Sequence, residues 1–207
     1  LGQVKKRFRR TEVYFDTALL LRILGYEGAA RQGSCKELLD LLYREGAISK
    51  CFRHTRDEVH SVLYACMLTM QRGESEHVSP TLLHLRRTGY GPSEVELELS
   101  LLDSKIESSG IRIVDKPAYV SKWQVDEGKL DKALEDETEY WHDRLRQRKH
   151  DVDCLSAIYR LRKGRETTYV EDSVAIFVTA NSALCKVGTR LFQTEGYIDK
   201  DCVPVAI

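Results

Sequence analysis

The chain has 207 residues, of which 42% are hydrophobic and 31% charged; that is enough for one α/β domain with a full core and too little for a second independent domain. Its 32 basic and 32 acidic residues cancel to a formal charge of zero, which excludes a global field that draws the molecule onto nucleic acid or membrane and leaves such binding to local patches. No apolar run approaches the roughly 18 residues needed to span a bilayer and no signal peptide is visible, so the expected location is cytoplasmic, with no membrane partner.

Residues 1–11 are basic (Lys5, Lys6, Arg7, Arg9, Arg10) and begin with Leu rather than Met; they read as an N-terminal extension on a fragment of a longer protein. Residues 13–15 read as a short buried strand, and 17–25 as a helix ending at a glycine. A second helix is expected to start at Ser34, capped reciprocally by Ser34 and Glu37, and to stop at Gly46. Residues 47–52 read as strand two. The helix after it carries Val59, Val62, Leu63, Cys66, Met67 and Met70 at 3/4 spacing.

Ser79-Pro80 opens another helix, with Gly89 beyond its end. Residues 93–108 read as one helix with Val95, Leu99, Leu102 and Ile106 on one stripe, and 111–114 as strand three. A long charged helix is expected over 126–148, standing proud of the core, in a segment (115–149) read as inserted or extended. Residues 151–163 form the next helix, 173–178 the clearest strand, 181–192 a helix and 202–207 a last short strand. Strands alternating with helices imply a mostly parallel sheet covered on both faces. The six cysteines (35, 51, 66, 154, 185, 202) show no Cys-x-x-Cys and no paired Cys/His spacing, so buried reduced thiols are expected rather than disulfides or zinc ligands.

Four acidic or amide positions fall where an apolar run meets the next element: Asp16, Glu58, the pair Asp151/Asp153, and Asn181. Ligands of open α/β sheets bind beyond the carboxyl ends of the strands, where such groups converge. Converging carboxylates repel unless something positive lies between them, and the natural filler is a hard cation, Mg²⁺ or Mn²⁺. Two basic clusters, 144–149 and 160–165, flank the Asp151/Asp153 pair; Arg144, Arg146, Arg148, Arg160, Arg162 and Arg165 are therefore the candidates for contact with a phosphate backbone.

Val-Tyr-Phe-Asp16-Thr-Ala-Leu-Leu-Leu, the glutamate in the helix after strand two, Asp153-Cys-Leu-Ser-Ala-Ile, and Ile-Phe-Val-Thr179-Ala-Asn181-Ser-Ala-Leu together resemble the PIN-domain nucleases. The resemblance covers nearly the whole chain as one domain. It implies a Rossmann-like PIN fold whose acidic cluster binds Mg²⁺ or Mn²⁺ and hydrolyses phosphodiester bonds, RNA being favoured over DNA as partner. It implies ligands at Asp16, Glu58 and Asp153 or Asp151, with Thr179 and Asn181 around the fourth corner. Where many PIN domains carry a further Asp, this chain has Asn181, which offers a carbonyl oxygen but no charge. A catalytically silent PIN-like protein or RNA interaction module within a larger assembly is the alternative, and a homo-oligomer or a partner domain from the rest of the chain is compatible with either.

Each candidate has a structural reading as well. Asp16 and Asn181 suit helix N-caps, and Thr55 with Glu58 has capping-box spacing. Asp151 and Asp153 lie about 200° apart on an ideal helix, so one metal cannot engage both; Asp153 matches the family spacing better, while Asp151 suits a cap. His150 reads as a helix-junction residue, since hard oxygen-lined sites rarely recruit imidazole.

Overall fold

Strand β1 (Glu12–Phe15) is paired on both sides, with β2 (Ile48–Phe52) and β4 (Ala175–Val178), and β3 (Arg112–Val114) completes the order β3-β2-β1-β4 with every pairing parallel. In this computed structural model residues 7–8, 11–73, 79–137 and 145–207 are described. The helices among them are α1 (Thr17–Ile23), α2 (Ala29–Glu45), α3 (Arg53–Gln71), α4 (Pro80–Arg87), α5 (Pro92–Ser100), α6 (Leu102–Ser108), α7 (Glu127–Glu135), α8 (Leu145–Arg162) and α9 (Ser182–Thr194). None is long and apolar enough to cross a membrane.

Period-two alternation along the strands divides the core between two faces. Val13, Phe15 and Cys51 enter one cluster with Leu20, Leu63 and Ile106, while Tyr14, Phe52 and Phe177 enter the other with Leu130, Leu155 and Leu184. Both faces are therefore covered by helices, and the architecture is a Rossmann-like α/β sandwich. From β1 the chain winds outward through β2 and β3, then returns to the far side as β4. The gap between the carboxyl ends of β1 and β4 is the switch point where such sheets place their ligands.

Several boundaries differ from expectation. Helix α2 starts at Ala29, not Ser34, because Gly28 takes φ +100°, a turn open to glycine, and the good helix formers after it carry the helix forward. The expected 93–108 helix breaks at Leu101 into α5 and α6. The expected 126–148 helix ends at Glu135, where three successive acids meet the negative end of the helix dipole. Far from standing proud, α7 buries Leu130 and Leu134 completely in the second cluster. Residues 205–207 form no strand but run beside β4, with Phe177 N–H donating to the Val205 carbonyl and Ile207 N–H to that of Phe177. All six cysteines are free thiols.

The correction that matters for the site concerns α8. Among the described residues it already runs from Leu145, so neither Asp151 nor Asp153 opens a helix. The Arg, Gln and Lys residues before them have high helix propensity. Both acids therefore sit inside the helix on different faces, and the sheet selects between them.

Candidate metal centre

Asp16 is the residue after β1. Its backbone N–H donates to the Val178 carbonyl (3.0 Å), which ties the end of β1 to the end of β4. Its side chain caps α1, Oδ1 accepting from Thr17 N–H at 2.6 Å, and Oδ2 accepts from Thr179 Oγ1 at 2.6 Å. Capping thus coexists with a place in the site, since each carboxylate oxygen keeps a further acceptor position. The group is 8% exposed. Burial pushes its carboxyl up to about 6, with a further push from the Asp151 charge, against the two threonine hydrogen bonds that favour the ion.

Asp151, on the second turn of α8, is buried and faces Asp16; one ligand atom each from Asp16, Asp151 and His150 lie within 4.8 Å of one another. Asp153 does not join them. It lies across the helix, ion-paired with Lys116 Nζ at 2.9 Å. The preference for Asp153 over Asp151 is therefore reversed, because the face of α8 that meets the sheet carries Asp151.

Glu58 belongs to the site rather than to a cap. With α3 starting at Arg53, Thr55 lies within the first turn, and its Oγ1 is 3.0 Å from His150 Nε2. Glu58, nearly a turn further, accepts a hydrogen bond from Thr17 Oγ1 and lies 3.5 Å from His150 Nδ1. Asp16, Thr17, Glu27, Glu58 and Asp151 line one small cleft of about 230 Å³. Asn181 takes its structural role, Oδ1 accepting from Leu184 N–H (3.1 Å) as the N-cap of α9, and its backbone N–H donates to Thr179 Oγ1 (3.0 Å), the hydroxyl that also reaches Asp16.

His150 is not a junction residue. It sits in the second turn of α8, its Nδ1 3.5 Å from both Glu58 Oε2 and Asp151 Oδ1. Burial opposes charge on it, but the Cys154 sulfur, Asp151 and Glu58 outweigh burial and hold the imidazole well above the usual histidine range. Burial pushes the Cys154 thiol up to about 11, so at neutral pH the two carboxylates carry that effect. His54, stacked on Phe52, is pushed the other way to about 3 by burial and by the His150 charge. Sequence reasoning weighed His150 and read it as a junction residue, and it named no site role for Thr17, Glu27, His54 or Cys154. The i, i+4 spacing of His150 and Cys154 on one helix was the available signal.

Of the arginines proposed for a phosphate backbone, three are internal. Arg148 pairs with Asp131 (2.7 Å) and Glu135, Arg160 reaches Gln124 and Glu127, and Arg162 donates to the carbonyls of Ala175, Val203 and Pro204 at 2.6–2.7 Å. Each is under 9% exposed, so a polyanion cannot reach them. Arg146 and Arg165 are exposed, and Arg144 lies outside the described residues. Arg146 and Lys149 line a cleft of about 840 Å³ between α3 and the start of α8, with His54, Glu58, His150 and Asp153 also on its walls.

The donor set suits a hard divalent cation in part. Asp16, Asp151 and Glu58 offer carboxylate oxygens of the kind Mg²⁺ and Mn²⁺ take, and the raised carboxyl of Asp16 marks a buried charge that a cation would relieve. No protein-family model, curated protein or solved structure matches this chain.

Proposed function

We propose that the protein is a Mg²⁺- or Mn²⁺-dependent phosphodiesterase of the PIN type, an endoribonuclease with RNA favoured over DNA. The observation that supports this reading most is the meeting of Asp16 and Asp151, with Glu58 alongside, at the switch point of a parallel sheet. A bound divalent ion polarises a phosphodiester and lowers the pKa of an attacking water. Asp16 and Asp151 supply negative oxygens to it. Thr17 and Thr179 hold the Asp16 carboxylate from both sides, fixing its direction before substrate arrives. Arg146 and Lys149, exposed on the neighbouring cleft, meet the substrate backbone.

The reading is tested on single-stranded RNA. Folded wild-type protein should cleave with Mn²⁺ and stop on chelation. Absence of cleavage of RNA and DNA alike at every divalent ion tried sinks it.

A second reading has an observation of its own. His150 Nδ1 lies 3.5 Å from both Glu58 and Asp151, where a protonated imidazole neutralises part of the cluster without a metal. This favours a catalytically silent PIN-like module that binds protein or RNA within a larger assembly. Under that reading RNA binds without divalent ions and is not cut.

A further inference from the structure

The His150 ring also meets a different chemistry from that of the acids. His54 Nε2 lies 3.2 Å from Cys154 Sγ, and the same sulfur sits beside the His150 ring, 3.7 Å from Nε2 and 3.9 Å from Nδ1. One ligand atom from each of the three residues falls within 4.8 Å of the others. We propose that His54, His150 and Cys154 form a site for a thiophilic divalent ion of the Zn²⁺ class, distinct from the oxygen-lined cluster and independent of whether the protein is a nuclease.

Geometry carries the proposal. With Zn–S near 2.3 Å and Zn–N of 2.0–2.1 Å, a tetrahedral ion separates a sulfur and a nitrogen ligand by roughly 3.5–3.6 Å. The two N···S distances straddle that value. Two imidazoles and a thiolate are the soft and borderline ligands that zinc selects, and three protein ligands leave a fourth position for water or another small ligand. Magnesium, which demands oxygens, has no reason to bind here.

The surroundings are built in the same sense. His150 presents Nδ1 to Glu58 and Asp151, the carboxylate backing that fixes a metal-binding histidine with Nε2 forward. His54 is held by stacking on Phe52 at 5.2 Å between ring centroids, and the two histidine rings meet edge to face at 4.9 Å. His54 Nδ1 is buried with no hydrogen-bond partner among the described residues, so the sulfur contact is the ring's one polar anchor. His54 and His150 both line the 840 Å³ cleft, which gives an ion a route in. Thr55 Oγ1, 3.0 Å from His150 Nε2, yields its hydrogen bond to the ion, and both the Cys154 thiol proton and the Nε2 proton of a charged His150 leave to solvent as the metal–sulfur and metal–nitrogen bonds form.

The test uses Co²⁺ as a spectroscopic probe of the full chain, followed by Zn²⁺ competition. One equivalent of Co²⁺ should give a near-ultraviolet thiolate-to-metal charge-transfer band, and one equivalent of Zn²⁺ should abolish it. Cys154→Ala should remove the band although the other five thiols remain. Because Cys154 is fully buried, His54→Phe is the second variant: it keeps a flat ring against Phe52, and Zn²⁺ affinity should fall at least about tenfold, the smallest loss seen for outer-shell partners. Asp16→Asn should leave the band in place, which separates this site from the acidic cluster. A band that survives Cys154→Ala, or Zn²⁺ affinity unchanged in His54→Phe, overturns the proposal.

Discussion

Asp151, on α8, brings a carboxylate oxygen within 4.8 Å of one from Asp16, at the end of β1. Asp153, two residues along the same helix, is held away by Lys116. Only one of the paired acids can therefore share an ion with Asp16, and the two substitutions should separate cleanly.

Asp151→Asn should lower metal-dependent RNA cleavage by at least roughly 100-fold, the upper range for loss of a mere outer-shell partner. Asp153→Asn, which gives up one partly exposed ion pair, should keep activity within a few-fold and stability within about 1 kcal/mol. Steady-state cleavage rates and denaturant melts of the two variants decide it. Equal losses from both would mean that α8 can turn to offer either acid.

The arginines divide in the same way. Arg162→Met leaves two buried carbonyls and one partly buried carbonyl without their donor and should cost about 3 kcal/mol of stability, seen as an earlier urea midpoint. Arg146→Ala should leave the midpoint in place, weaken RNA binding, and reduce the slope of log affinity against log salt by about 1. Unchanged affinity in Arg146→Ala would remove the cleft beside α3 as a nucleic-acid path.

A third prediction lies away from the site. Burial would push the Glu98 carboxyl up, yet hydrogen bonds from Lys105, Tyr26 and Tyr90 hold it below the usual range. A carboxylate whose folded pKa is depressed stabilises the fold fully above its unfolded pKa, near 4.3, and loses that contribution as pH falls through the folded value. The gap in thermal midpoint between wild type and Glu98→Gln should thus be full at neutral pH and shrink below about pH 4.3. A gap that stays constant down to the acid-unfolding limit would show that Glu98 acts through packing alone.

The strands β1 and β4 and the residues that end them were legible because they depend on local pattern: an apolar run over 13–15 or 174–178 followed by Asp16 or Thr179 needs nothing distant to interpret it, whereas the expected strand over 202–207 is only a bridge beside β4. The choice between Asp151 and Asp153 was not legible, since it turns on where α8 starts. With the helix already formed by Leu145, it is Asp151 that shares the face of His150 and meets Glu58 and Asp16, while Asp153 pairs with Lys116. The basic clusters misled for a related reason. Charge along a sequence does not say which guanidinium is turned inward to tie carbonyls, as Arg162 is, and which meets solvent, as Arg146 does. His150 was set aside because imidazole suits hard cations poorly, a sound rule that missed a ring with two acids at Nδ1 and a thiol beside it.

The central claim is that the acids at the ends of β1 and α8 hold a hard divalent ion, and calorimetric titration of the folded protein with Mn²⁺ tests it most directly. The account predicts saturable binding at up to millimolar metal, lost in Asp16→Asn and in Asp151→Asn and kept in Asp153→Asn and Cys154→Ala. No binding to folded wild type in that range, or binding that survives Asp16→Asn unchanged, would contradict it.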